Sequence, residues 1–152
     1  MLTTPGRQYR LNFIGGISLD GHKFVYQEAE RVESYSIKAF LKKLGDKHAG
    51  NQKIHLILDN AGYHRSRAVK VYAKKLRIKL HYLPPYSPNL NPIERLWKIM
   101  HQQVTYNKYY EKFSDFRKAT INFFRHISKK KKLLQSRITD NFQLLTAPNF
   151  AS

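Results

Sequence analysis

Leu56-Ile57-Leu58-Asp59-Asn60-Ala61-Gly62-Tyr63-His64 and, further along, Tyr82-Leu83-Pro84-Pro85-Tyr86-Ser87-Pro88-Asn89-Leu90-Asn91-Pro92-Ile93-Glu94 decide how this chain is read. An apolar, strand-like run ends on Asp59. A second such run, a Pro-rich loop and a helix start then deliver Glu94, with 34 residues between the two carboxylates. Two acids far apart in sequence, each at the edge of an apolar element, suit a shared divalent-metal site. Asp59-Asn60 is equally an ordinary turn start. At the carboxyl end of a parallel strand, where open α/β sheets bind ligands, the same carboxylate can serve Mg²⁺, which takes few protein ligands and keeps several waters. Asn91-Pro92-Ile93-Glu94 is also a helix-start signature, with an N-cap, Pro in the first turn and an acid three residues after the cap. The two readings of Glu94 are compatible, because a carboxylate in a first helical turn is rigidly held.

Working outward, residues 1–8 carry Thr3, Thr4, Pro5 and Gly6 and read as a loop. Residues 9–19 are apolar and β-rich, and Asp20-Gly21 followed by Lys23-Phe24-Val25-Tyr26-Gln27 signals a hairpin. Residues 34–44 place Ile37, Phe40, Leu41 and Leu44 on one helical face, with Gly45 as the expected stop. A strand over 53–58, a helix over 66–76 and a strand over 78–83 follow. Helices are expected over 92–104, with Ile93, Leu96, Trp97 and Met100 inward, and over 113–127. Helices between the later strands imply parallel pairing and an α/β sandwich. Repeats, low-complexity tracts and linkers are missing from the sequence, so residues 1–152 read as a single domain whose tail, from about 129, is peripheral.

The chain has 152 residues, 41% of them hydrophobic, enough for a real core. It has no cysteine, which excludes disulfides and thiolate metal sites. No apolar run approaches the roughly 18 residues of a membrane span, and a signal-peptide core is missing. A soluble, intracellular protein without a membrane partner is expected. The 28 Lys and Arg against 10 Asp and Glu give a formal charge of +18, which favours a polyanionic partner.

The motifs resemble the catalytic core of DDE-superfamily transposases, in the insertion-sequence branch related to mariner elements. The pattern is a strand ending in Asp-Asn-Ala, then a His, then Leu-Pro-Pro-Tyr-Ser-Pro-x-Leu-Asn-Pro-Ile-Glu. The sequence carries it at Asp59, Asn60, Ala61 and His64, and from Leu83 to Glu94. The resemblance covers residues 7 to about 125. It implies a ribonuclease-H-like fold, a mixed sheet flanked by helices, and DNA transposition by metal-dependent strand cleavage and transfer. It implies that Asp59 and Glu94 are catalytic carboxylates binding Mg²⁺ or Mn²⁺, two ions in the complete site, and that DNA is the partner, in the cytoplasm at the nucleoid.

The family carries a further Asp, on a first and central strand. Before Asp59 the sequence offers only Asp20, in the hairpin turn, and Asp46, after a helix. The chain is therefore expected to lack that first strand and to be weak or inactive alone. An N-terminal fragment or a full-length transposase is then expected as a partner. Asn60, His64 and Asn91 are expected to support the site, although His64 also suits a surface or capping role. Arg65, Arg67 and Lys98 flank the carboxylates as phosphate contacts, with Lys98 equally placed to pair with Glu94. Lys129, Lys130, Lys131 and Lys132 form an outer basic run that is either a solvated face or a further contact. The competing reading is a non-catalytic nucleic-acid-binding remnant or regulator, and a distant third is an unrelated structural α/β module.

Overall fold

The computed structural model describes residues 2–4, 7–19, 23–48, 53–85 and 91–137. The expected Asp20-Gly21 turn and the loop over 86–90 lie outside them. Three strands, β1 (Leu2–Thr4), β2 (Arg7–Ile17) and β3 (Phe24–Ala29), form an antiparallel sheet in that order. β2 and β3 pair from Asn12↔Ala29 to Ile17↔Phe24. β1 falls where a loop was expected, and its register with β2, Leu2↔Leu11 and Thr4↔Arg7, is that of a local hairpin.

Helix α1 (Ser34–Lys47) begins at a closed capping box between Glu33 and Ser36. It runs through Gly45, the expected stop. Ile37, Phe40, Leu41 and Leu44 are already buried on the sheets, and that packing outweighs the cost of one helical glycine. β4 (Ile54–Leu58) and β5 (Ile78–Tyr82) pair in parallel, from Ile54↔Ile78 to Leu58↔Tyr82. Helix α2 (Arg67–Lys75) connects them, and its N-cap Ser66 accepts a hydrogen bond from Val69 N at 3.3 Å.

All the strands were expected in one sheet, but the described residues form two, and β2 makes no ladder with β4. Side chains join them instead. Ile14 of β2 and Ile54 and Leu56 of β4 share the apolar cluster under Phe40 and Leu44 of α1. The division falls between β2 and β4, the position that the family resemblance gives to its first, central strand. β4 pairs only with β5, which leaves its other edge without a strand partner among the described residues.

The other face of β2 and β3 is covered by α3 (Pro92–Met100), α4 (Phe113–Arg125) and α5 (Lys131–Arg137). Leu11, Leu96, Ile99, Phe116, Phe124, Ile127 and Leu134 are buried there together. Gly15 is required by close approach: a Cβ on it would stand 2.7 Å from the Trp97 ring. Trp97 thereby fixes α3 against β2. After Met100 the helix widens into a π turn, His101–Thr105, closed by Tyr106 N donating to His101 O at 2.8 Å. Arg117 of α4 reaches Glu28 of β3 through two guanidinium nitrogens, the shorter contact being 2.7 Å.

Candidate active site

Asp59 is the first residue after β4, at the carboxyl end of a parallel strand. Its Oδ1 accepts from Ala61 N at 3.0 Å, the Asx turn that its sequence context suggests. The same oxygen meets His64 Nδ1 at 2.8 Å. His64 sits in a 3₁₀ turn, Gly62–Arg65, that folds back toward the strand end. The Asp59 side chain is 51% exposed and that of His64 16%. The imidazole is thus a packed support behind an accessible carboxylate.

Glu94 arrives by a different route. Asn91 caps α3, its Oδ1 accepting from Ile93 N at 3.3 Å, and Glu94 N donates to Asn91 O at 3.0 Å. Because the Asn91 side chain takes the Ile93 amide, it does not close the reciprocal box with Glu94 that the sequence allows. The half-buried Glu94 carboxyl has its pKa raised above 4.5. Burial is the larger cause and the like charge of Asp59 the second, opposed by Lys98. Asp59 also helps burial to raise the Tyr63 phenol. The fold therefore brings Asp59 and Glu94 into each other's field from elements 34 residues apart in sequence.

The remaining predicted residues divide by surroundings. Arg65 Nη1 donates to Asn60 Oδ1 at 2.7 Å and lies over the Tyr82 ring, 5.6 Å from its centre. Arg67 opens α2 and is exposed, as is Lys98 one turn after Glu94. The run at 129–132 sits on a 3₁₀ turn and the start of α5. It is far from uniform: Lys130 Nζ donates to Gln103 Oε1 and lies over the Phe123 ring at 5.3 Å. Lys129 and Lys132 are exposed, and of Lys131 only the backbone is described.

Tyr82 was not singled out in the sequence. Its hydroxyl donates to His64 O at 2.8 Å, tying the end of β5 to the turn that supports Asp59. Only the parallel register, which puts Tyr82 opposite Leu58, could have signalled it.

Asp59 and Glu94 offer carboxylate oxygens, hard donors suited to Mg²⁺ or Mn²⁺. The repulsion from Asp59, which adds to burial in raising the Glu94 pKa, is what a bound cation would relieve. Among the described residues no group of three or more His, Asp or Glu side chains is placed to hold a metal ion. The donor set fits a cation that keeps several of its waters better than a closed protein cage.

Over residues 2–117 the sequence matches the family described as DDE superfamily endonuclease. It is similar to the uncharacterized 39 kDa protein of insertion element IS630 from Shigella sonnei, 27% identical over 128 residues, or 84% of this chain and 37% of that protein. The Tc3 transposase of Caenorhabditis elegans is 32% identical over 82 residues, 53% of this chain and 25% of that one. The chain thus spans well under half the length of these relatives. Among solved structures, the catalytic domain of Mos1 transposase, determined with raltegravir and Mg, aligns with a TM-score of 0.53 at 16% identity, covering 84% of this chain and 80% of that one. At such identity the likeness speaks for the fold, which is ribonuclease-H-like.

Proposed function

The chain belongs to the DDE superfamily of endonucleases, and from that premise we propose that it forms part of the DNA strand-cleavage and transfer core of an insertion-sequence transposase. Asp59 and Glu94 would hold the divalent cation, Mg²⁺ or Mn²⁺. Once bound, the ion would stabilise charge on a phosphodiester and favour attack by water or a 3′-hydroxyl. The observation that supports this reading is that Asp59, an accessible strand-end carboxylate, lies near enough to the half-buried Glu94 for its charge to add to burial in raising the Glu94 pKa.

The surrounding residues have supporting parts. His64 and the Ala61 amide orient Asp59 through Oδ1. Asn91 fixes the first turn of α3 and with it the Glu94 backbone. Asn60 holds the Arg65 guanidinium, and Arg65, Arg67 and Lys98 would neutralise phosphates of the DNA partner. The third carboxylate of the family pattern is proposed to come from outside the described residues. The open edge of β4 supports this, because a parallel strand added there would end beside Asp59. An N-terminal fragment or a full-length transposase could supply it, and the chain alone would cut weakly.

A second reading, a non-catalytic DNA-binding regulator, draws on the lack of a three-ligand cluster among the described residues. Nicking of supercoiled DNA separates the two. Addition of a fragment carrying an Asp-terminated strand should raise Mg²⁺- or Mn²⁺-dependent nicking, and Asp59→Asn or Glu94→Gln should remove the gain. Cutting that survives both substitutions would refute the metal-site assignment. Salt-sensitive binding without cutting under every condition would favour the regulator.

A further inference from the structure

Along the outer edge of β5 is a cavity of about 640 Å³ that reaches Tyr82 at the carboxyl end of the strand. Lys53, Lys70, Lys74, Arg77, Lys79 and Tyr82 line it over an apolar floor of Ala73, Ile78 and Leu80. The cations come from three places: the approach to β4, one flank of α2 with its exit, and β5 itself. No acidic side chain is among the lining residues.

Two ordinary explanations cover part of this. Lysines near the end of α2 suit the helix dipole, and a charged β5 discourages edge-to-edge pairing. The dipole accounts for Lys74 and the edge for Lys79. Neither accounts for Lys53 and Arg77 lining the same hollow as Lys70 and Lys74. Arg77 is held there by a left-handed backbone, φ 59°, while its carbonyl accepts from Ile54 N at 3.2 Å.

Tyr82 belongs both to the lining of the hollow and to the support of the candidate active site. Lys70 Nζ lies 5.7 Å from the centre of its ring and the Arg65 guanidinium 5.6 Å. The Tyr82 hydroxyl is bonded to the His64 carbonyl, and His64 to Asp59. A phosphodiester chain following these cations would pass from the hollow across Arg65 to Asp59. With its ring flanked by two cations and its hydroxyl engaged, Tyr82 acts as a spacer for positive charge.

We propose that Lys53, Lys70, Lys74, Arg77 and Lys79 form a groove that binds the sugar-phosphate backbone of duplex DNA and leads it toward Asp59. This rests on the nucleic-acid reading above but is independent of metal and of cutting. Polyanion contacts of this kind release counterions, so each phosphate neutralised adds about 0.9 to the salt slope of binding.

The test uses the full chain without divalent metal. In one variant Lys53, Lys74 and Lys79 become Gln and Arg77→Asn keeps a residue that tolerates positive φ. A second variant carries Lys23, Lys42, Lys112 and Lys118 as Gln, the same charge change at exposed lysines outside the groove. Duplex binding, read as affinity against salt, should lose about 3 to 4 from its slope in the groove variant and at least about tenfold in affinity at 0.15 M salt. The control variant should lose less than half as much. In the unsubstituted chain, bound duplex should protect Lys53, Lys70, Lys74 and Lys79 from amine acetylation while Lys23, Lys42, Lys112 and Lys118 stay reactive. Equal losses in the two variants, or protection that does not favour the groove lysines, would overturn the proposal. So would polyglutamate, at equal charge, displacing duplex and leaving the same footprint, since the groove would then select acidic protein chains. If the groove variant binds normally while Asp59→Asn abolishes reconstituted cutting, the groove fails and the active site stands. The reverse result separates them the other way.

Discussion

Glu94 combines two demands in one helical turn. The Asn91 cap holds its backbone, and its half-buried carboxyl meets the field of Asp59. Its folded pKa is raised, so in the window from about 4.5 up to the folded value the native protein keeps a proton that the unfolded chain has released. Stability from this group is therefore full below pH 4.5 and is lost as pH rises through the folded pKa. Glu94→Gln should flatten that part of the stability-pH curve and leave the metal-free protein at neutral pH equally stable or up to ~1 kcal/mol more stable by denaturant titration. Asp59→Asn should lower the pKa of both Glu94 and the Tyr63 phenol, followed by NMR and ultraviolet titration, because one charge contributes to both shifts. An unchanged Glu94 titration would place the two carboxylates outside each other's reach.

Each carboxylate owes its position to an element. Asp59 is set by the parallel pairing of β4 with β5, and Glu94 by the docking of α3 on β2 through Trp97 and Gly15. Gly15→Ala must displace the Trp97 ring and should cost about 1–3 kcal/mol, read as a shift in denaturation midpoint. If it is neutral, α3 is not anchored there. Asn91→Ala should cost about 1 kcal/mol through loss of the cap. Much of this was legible in the sequence because the signals are local: the Asn91 cap, the Pro92 start, and the apolar stripes of α1 and α3. What was missed depends on partners distant in sequence. Gly45 stays helical because α1 is already buried on both sheets. β1 forms because Arg7 and Leu11 pair with it, despite turn formers around it. Lys130, one of four adjacent lysines, is drawn out of solvent by Gln103 and Phe123. No local pattern announces any of the three.

For the whole molecule, charge and architecture point the same way. A formal charge of +18 is spread along the chain, but folding gathers five cations into one hollow that runs along β5 as far as Tyr82. Sequence composition could forecast a polyanion and the motifs could name the two carboxylates. The groove needed the α2–β5 junction to be folded. Among the described residues no helix is long and apolar enough to cross a membrane. The division into two sheets, with α1 spanning them, leaves β4 open on one edge, and unpaired edges invite association. Supplying a strand for that edge should raise the unfolding midpoint, whereas an unchanged midpoint would show that the edge takes no partner. The central claim is that Asp59 and Glu94 share one divalent cation, and Mn²⁺ titration followed by NMR tests it most directly. At substoichiometric Mn²⁺, the amide signals of Asn60, Ala61, Ile93 and Arg95 should broaden first, and either Asp59→Asn or Glu94→Gln should abolish the effect. Broadening that begins elsewhere, or that persists at these four amides in both variants, would contradict the shared site.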